Sequence, residues 1–202
     1  MESKSGIDPT PAPVFLRMIA FGMDCLFIIF ATYTVAQFFF QSEMAAAIST
    51  MEDYESQLQT LERSLQKGNQ SAEAEIRRIL EELVQEPSVV EFTKTMVYCV
   101  FWVALTYWFT GERFFAGSSL GKRVFSIASL DLRDGCSPGT GTCLLRALLK
   151  TIPILQQLLA VSFLVALFNR RRMAGHDYLC RTMVVRGQVA SKTQEESTIH
   201  PE

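Results

Sequence analysis

Residues Val14 to Phe40, VFLRMIAFGMDCLFIIFATYTVAQFFF, decide what kind of chain this is. They are 27 consecutive residues of apolar character, and a helix needs about 20 to cross a bilayer. Two ionisable groups, Arg17 and Asp24, sit in the first half, seven positions apart. Seven residues make nearly two helical turns, about 10.5 Å along the axis, so both side chains share one face. A charge at the bilayer centre costs roughly 3 kcal/mol on insertion scales, and such groups normally face protein or water. The stretch predicts a membrane helix with one polar stripe.

Two further apolar runs follow, Thr95 to Phe109 and Ala147 to Phe168. The chain has 202 residues, 49% of them hydrophobic, and these cluster in the runs where a soluble domain would spread them at helix or strand period. The second run is marginal for a span at about 22 Å, but Tyr98, Trp102, Tyr107 and Trp108 supply interfacial aromatics. The third carries Pro153, Gln156 and Gln157 near its middle, where a hairpin would bend.

The net charge of −2 hides a division. Residues 41–91 hold eleven acids against four bases, and the rest of the chain holds ten acids against fifteen bases. Arg113, Lys122, Arg123, Arg133, Arg146 and Lys150 precede or enter the third run, and Arg170, Arg171, Arg172, Arg181 and Arg186 follow it. By the positive-inside rule, loops 111–146 and 169–187 are cytoplasmic and 41–91 lies outside. Both ends of the third run then lie on one side, which favours a re-entrant or bent helical hairpin over a kinked full span. The first run exceeds a signal-peptide core and reads as an uncleaved signal anchor. The expected location is a cell membrane crossed more than once, the inner membrane in a bacterial cell.

Residues 1–13 contain Pro9, Pro11 and Pro13 and read as a mobile tail. In the acidic segment, Met44, Met51, Leu58 and Leu65 recur every seven residues, with Ala47, Tyr54 and Leu61 three later. That is about three heptads of an a/d seam. Gly68 and Asn69 break it, Ser71 can cap a second helix with Ile76, Leu80 and Leu83 on one face, and Pro87 ends that helix. The segment is a helical hairpin, either packed only on itself or offering residues 44–84 to another copy or a protein partner. Val124 to Leu132, VFSIASLDL, alternates like a strand, and Thr182 to Val185 is a second strand candidate.

The second polar constellation is NRRRMAGHDYLCRTMVV, residues 169–185. Here His176 can change charge near neutrality, and Asp177 favours its charged form. A proton relay competes with a structural role in which Asp177 caps a helix or binds an arginine. Asp24 lies too deep to snorkel and needs a partner, an arginine of the basic loops or a backbone amine of the third segment. Structural pairing, an ion or proton path and a partner-binding seam all stay open for Arg17 and Asp24.

Other signals fail. GSSLGKR, Gly117 to Arg123, has one residue too few between its glycines for a phosphate loop, and Arg123 stands where Ser or Thr must reach a metal. Five cysteines show no CxxC pair, and neither a metal spacing nor a nucleophile with its base is present. The expectation is no enzyme activity, no cofactor, no metal and no nucleic acid. The basic stretches border membrane helices and suit anionic headgroups at the cytoplasmic face.

FLRMIAFGMD with Arg17 and Asp24, GSSLGKRVFSI with Gly121, Lys122 and Arg123, Arg146 at the end of that loop, and GHDYLCRTMVV with His176 and Asp177 occur in this order. Together they resemble the RDD family of small integral membrane proteins, over about residues 14–187. The resemblance implies that Arg17, Asp24 and Asp177 are the arginine and two aspartates of the family's name. The acidic insertion departs from the short loop most members have. The resemblance also implies little biochemistry: most members lack an assigned activity, some are linked to sodium and proton antiport, and a eukaryotic branch to membrane protein quality control as an accessory subunit.

The expectation is an all-α polytopic membrane protein. Its parts are a tail (1–13), a transmembrane helix (14–40), the acidic hairpin (41–91), a second transmembrane helix (92–110) and a basic loop with a strand (111–146). A third membrane segment (147–168), the GHD motif with a closing strand (169–187) and a disordered tail (188–202) complete it. Arg17, Asp24, Asp177, His176 and Arg146 form the polar seam, and Arg170, Arg171 and Arg172 face lipid. The favoured function is a noncatalytic accessory, scaffold or partner-binding protein. Its rival is a small cation or proton transporter using Asp24 with Asp177 and His176.

Overall fold

Pro13 precedes helix α1, Val14–Phe39, which runs unbroken through Arg17 and Asp24. A computed structural model describes residues 10–67, 71–155 and 173–187. Helix α2, Gln41–Gln66, follows after the single non-helical residue Phe40. Helix α3 spans Ser71–Gln85 and α4 spans Pro87–Phe114. Pro87 is thus the first residue of the next helix, with Glu86 alone between the two. A proline there lacks only an N–H that a first helical turn leaves unpaired. Both α1 and α4 are long and apolar enough to cross a membrane.

The chain divides into two compact units, Met1–Ile29 with Phe101–Glu202, and Phe30–Val100. In the second, α2 packs along α3. Ala47, Ala72 and Ile79 are its buried contacts, and Thr50 and Ser88 share a hydroxyl hydrogen bond of 3.1 Å. The heptad seam is turned inward at Ala47, Tyr54, Leu58 and Leu61, while Met51 and Leu65 stay exposed. On α3 the inward stripe is Ala72, Ile76, Ile79 and Leu83; Leu80, expected inside, is exposed because Ile79 takes the buried position. Arg78 pairs with Glu75 and Glu82 on the solvated side, the i,i+3 and i,i+4 spacing of helical neighbours.

In the first unit, α5 (Leu120–Val124) leads into strand β1 (Ile127–Asp131), followed by α6 (Thr140–Leu155), α7 (Gly175–Leu179) and β2 (Thr182–Arg186). The strand expected from Val124 is shorter. Its first residue closes α5, and Ser126, at φ 51°, turns the chain before β1 starts. Strands β1 and β2 pair antiparallel, Ile127 opposite Arg186 and Asp131 opposite Thr182. Both edges of this ribbon are covered. The Ser129 N–H donates to the Gly117 carbonyl on one side, and the Ala12 N–H donates to the Val184 carbonyl on the other, each near 3 Å. The tail expected over 1–13 is therefore fastened at Pro11 and Ala12, beside β2. Residues 1–9 and 188–202 lie outside the described residues.

Ala12, Ala20, Ile127 and Val184 form one small core, and Ile28, Ala104, Trp108 and Ala147 another. Helix α6 begins seven residues before the apolar run and continues through its first part. Thr140 starts it after Pro138 and Gly139, so Arg146 and Lys150 lie on a helix, one turn apart. Most of the third segment, from residue 156, lies outside the described residues, as do Arg170, Arg171 and Arg172.

Candidate functional site

Seven ionisable side chains from α1, α4, α5, α6 and α7 meet in the first unit, all buried. Arg17, one turn into α1, donates to Asp177 Oδ2. Arg146 donates from Nη2 to Asp177 Oδ1 at 2.7 Å, and its Nε lies 3.5 Å from Glu112 Oε2. Lys122 donates to Glu112 Oε1 at 2.9 Å and to Ser129 Oγ at 2.7 Å. Lys150 donates to that same Glu112 oxygen. Each of Glu112 and Asp177 thus holds cations from at least two elements, and Arg146 joins the two acids into one network. His176 Nε2 lies 3.5 Å from Asp177 Oδ1.

Asp24 stands two turns deeper on α1 and is satisfied differently. It accepts from Tyr107 Oη at 2.6 Å, Ser119 Oγ at 2.5 Å and the Gly121 N–H at 2.8 Å. Three neutral donors therefore take the place of the expected arginine or third-segment amine. Ser119 precedes α5 but does not cap it, because its hydroxyl is turned to Asp24. Glycine is required at 121: a Cβ would run into the Ala20 carbonyl oxygen and come within 2.8 Å of Asp24 Oδ1. The GSSLGKR stretch, unsuited to nucleotide, embraces a carboxylate of its own chain.

Burial controls the titration of the groups outside the long helices. It draws Lys122 down to about 7, against the attraction of Glu112 and with help from Lys150 and Arg146. It draws His176 down to about 3, outweighing Asp177, so the imidazole is uncharged at neutral pH. Burial would raise the Asp177 carboxyl, but the positive charge around it, His176 and Arg146 before Arg17, holds it below the usual carboxylate range. With His176 uncharged, the two arginines carry that effect.

A small open cavity of about 20 Å³ adjoins the network. Arg17, Lys122, Lys150, His176 and Asp24 form its polar side, and Phe21, Ile127 and Val184 its apolar side. Phe21 stacks on Trp108, centroids 5.6 Å apart, and Lys150 Nζ lies 5.7 Å from the centre of the Trp108 ring.

Of the residues singled out from sequence, Arg17, Arg146, His176 and Asp177 come together, and Lys122 joins them. Asp24 and Gly121 form the adjoining contact. Arg123 stays outside, exposed, with its guanidinium 4.7 Å from the centre of the Phe115 ring. Sequence reasoning missed Glu112, Ser119 and Ser129, and took Lys150 only as a topological charge and Tyr107 only as an interfacial aromatic. A signal existed for two of them. Arg146 and Lys150 at i,i+4 define one basic helix face, and such a face inside an apolar helix needs an acid. Among the described residues no group of His, Cys, Asp and Glu could hold a metal ion.

Compared with protein families, residues 11–181 match the model of the RDD family. No curated protein and no solved structure matches.

Proposed function

The chain belongs to the RDD family, and from that premise we propose that it is an integral, multi-pass protein of a cell membrane acting as a noncatalytic accessory or scaffold. The observation that carries the reading is the saturation of its deep acids. Asp24, Glu112 and Asp177 are each engaged by at least two donors fixed on other elements. Groups bound this way hold helices in place; removing one partner of a buried pair costs about 3–5 kcal/mol. A transport carboxylate must instead exchange its partners during each cycle.

The orientation puts 111–146 and 169–187 on the cytoplasmic side and 41–91 outside. Large apolar side chains along α1 and α4, such as Leu26, Ile29, Phe30 and Trp102, are 61–71% exposed, which supports lipid contact. The direct pairing of β1 with β2 supports a third segment that enters and leaves on one face, since these strands flank it in sequence. Anionic headgroups are the partners of the basic cytoplasmic flanks, and residues 44–84 are the surface for a second copy or a protein partner.

The rival reading, cation or proton transport, has one observation in its favour: Asp24 lines the cavity. Proton and sodium flux in proteoliposomes separates the two. The accessory reading expects no flux from folded native protein; sodium-dependent flux that Asp24→Asn abolishes would overturn it in favour of transport.

A further inference from the structure

Beyond the end of α4 the chain runs back along that helix. Ala116, at φ 50°, and Gly117, at φ 80°, reverse its direction, in the left-handed region that suits glycine. Ser119 then passes against Gly111, where a Cβ would lie 3.3 Å from the Ser119 Cα. The Ser119 hydroxyl and the Gly121 N–H reach Asp24, beside Tyr107. Tyr107 stands seven residues before Phe114, the last residue of α4, so the return covers about 10 Å of that helix. Measured on α1 the level is as deep: Asp24 is the tenth residue after Val14, about 15 Å along the axis.

The outside of the molecule is apolar at this level. On α1, Phe15, Met18 and Ile19 before Asp24 and Leu26 and Phe27 after it are exposed. Helix α5 extends that surface. Leu120 and Val124, one turn apart on one face, are 41% and 62% exposed, while Gly121 and Lys122, away from that face, are buried. Irregular backbone persists at membrane depth only where protein shields it, and the segment before α5 is shielded. Ser118 and Ser119 are buried. The Gly117 N–H donates to the Glu112 carbonyl at 2.9 Å, Ser118 Oγ to the Ile127 carbonyl at 2.9 Å and the Gly121 N–H to Asp24 Oδ1 at 2.8 Å. Arg123, exposed on α5, turns its guanidinium toward the end of α4, over the Phe115 ring.

We propose that residues 115–124 dip into the cytoplasmic leaflet and leave it on the same side, with Leu120 and Val124 against lipid acyl chains and Arg123 reaching back to anionic headgroups. Continuity with the exposed apolar face of α1 selects lipid as the occupant, and a cation turned to the shallow end suits the boundary between acyl chains and headgroups. Asp24 then has a task at its depth: it accepts from the Ser119 hydroxyl and the Gly121 N–H, donors that acyl chains could not satisfy. This placement rests on the multi-pass membrane reading and deepens it, since part of the basic loop 111–146 enters the membrane while both of its ends stay cytoplasmic.

The test places a nitroxide on one introduced cysteine at a time in the full chain, reconstituted in phosphatidylcholine with phosphatidylglycerol. Leu120→Cys is the reporter, with Ile29→Cys on the exposed face of α1 and Glu62→Cys in the acidic hairpin as references. All three positions are exposed, so the label needs no space in a packed interior, and the native chain with its own cysteines supplies the background. Collisions with oxygen, which concentrates in lipid, are compared with collisions with a water-soluble nickel chelate. The oxygen-to-nickel ratio at Leu120 should match that at Ile29 and exceed that at Glu62. A ratio at Leu120 like that at Glu62, with Ile29 still in lipid, would overturn the proposal and leave the membrane reading standing. A Leu120 label that meets neither reagent is covered by protein, which also overturns it. A water-like ratio at Ile29 overturns the membrane reading itself, and the proposal with it.

Discussion

Glu112 is surrounded by Lys122, Arg146 and Lys150, three buried cations from two elements. Desolvating four charges is expensive, and only close, multiple contacts compensate. Burial lowers the proton affinity of Lys122 despite its contact with Glu112, and this gives a pH signature. Between about 7, its folded value, and the ordinary lysine value, the unfolded chain binds a proton that the folded chain does not, so stability rises with pH across that window. The unfolding midpoint in detergent should therefore be higher at about pH 9 than at about pH 7, and Lys122→Met should flatten the difference. An unchanged slope in the variant would assign the effect to other groups. At this scale the sequence exposed the acids that interrupt apolar runs, Asp24 first, because nothing else explains a carboxylate there. Glu112 was hidden because it ends its run beside Arg113, where charges also mark a membrane edge. Ser119 was hidden because a serine in a loop carries no pattern at all.

Helix α5 has only five residues, yet it decides how α1 is held. Its Gly121 touches the α1 backbone at Ala20 and donates to Asp24, so the two helices meet with no side chain between them. Gly121→Ala should destabilise the chain by about 1–3 kcal/mol, the usual cost of forcing extra volume into a packed contact, measured by chemical unfolding in detergent. Gly139→Ala is the control, since a Cβ there meets nothing within 4 Å; equal effects would remove the contact from the explanation. The long helices were legible from their apolar runs, and the strand pair from alternation. The start of the first strand was not, because Val124, Ser126 and Ala128 fit both a short strand and a helix leading into one. Pro87 marks a helix boundary from both sides: α3 ends just before it, as its position in the sequence led one to expect, and the proline also opens α4, which the sequence did not show.

At the scale of the whole chain, the acidic hairpin is the part that the core of the charge network does not explain. Its seam is divided: Ala47 is buried against α3, while Met51 and Leu65 remain 40% exposed on the same helix. A cysteine introduced at Met51, on the exposed part of the seam, reports on whether a second copy meets this surface. Cross-linked dimers at low concentration, absent with a cysteine at Glu62, support self-association; no cross-linking returns the hairpin to a surface that packs only on itself. The order of motifs was readable here because polar constellations at 17–24, 117–123 and 175–185 are separated by apolar runs. Their convergence was not, since no periodicity within a run says which distant segment meets it.

That convergence has a consequence for synthesis. Strand β2 and Asp177 complete a structure whose other parts, Ala12, Arg17, Arg146 and β1, lie far upstream. A ribosome delivers them last, and contacts between sequence-distant segments form slowly because long loops must close first. Until residues 177–186 emerge, Arg17 and Arg146 have no Asp177 to bind and β1 has one bare edge. The nascent protein thus passes through a stage in which its long helices are already made while Arg17 and Arg146 still lack Asp177, a window in which a chaperone or an insertase would meet arginines that the finished molecule conceals.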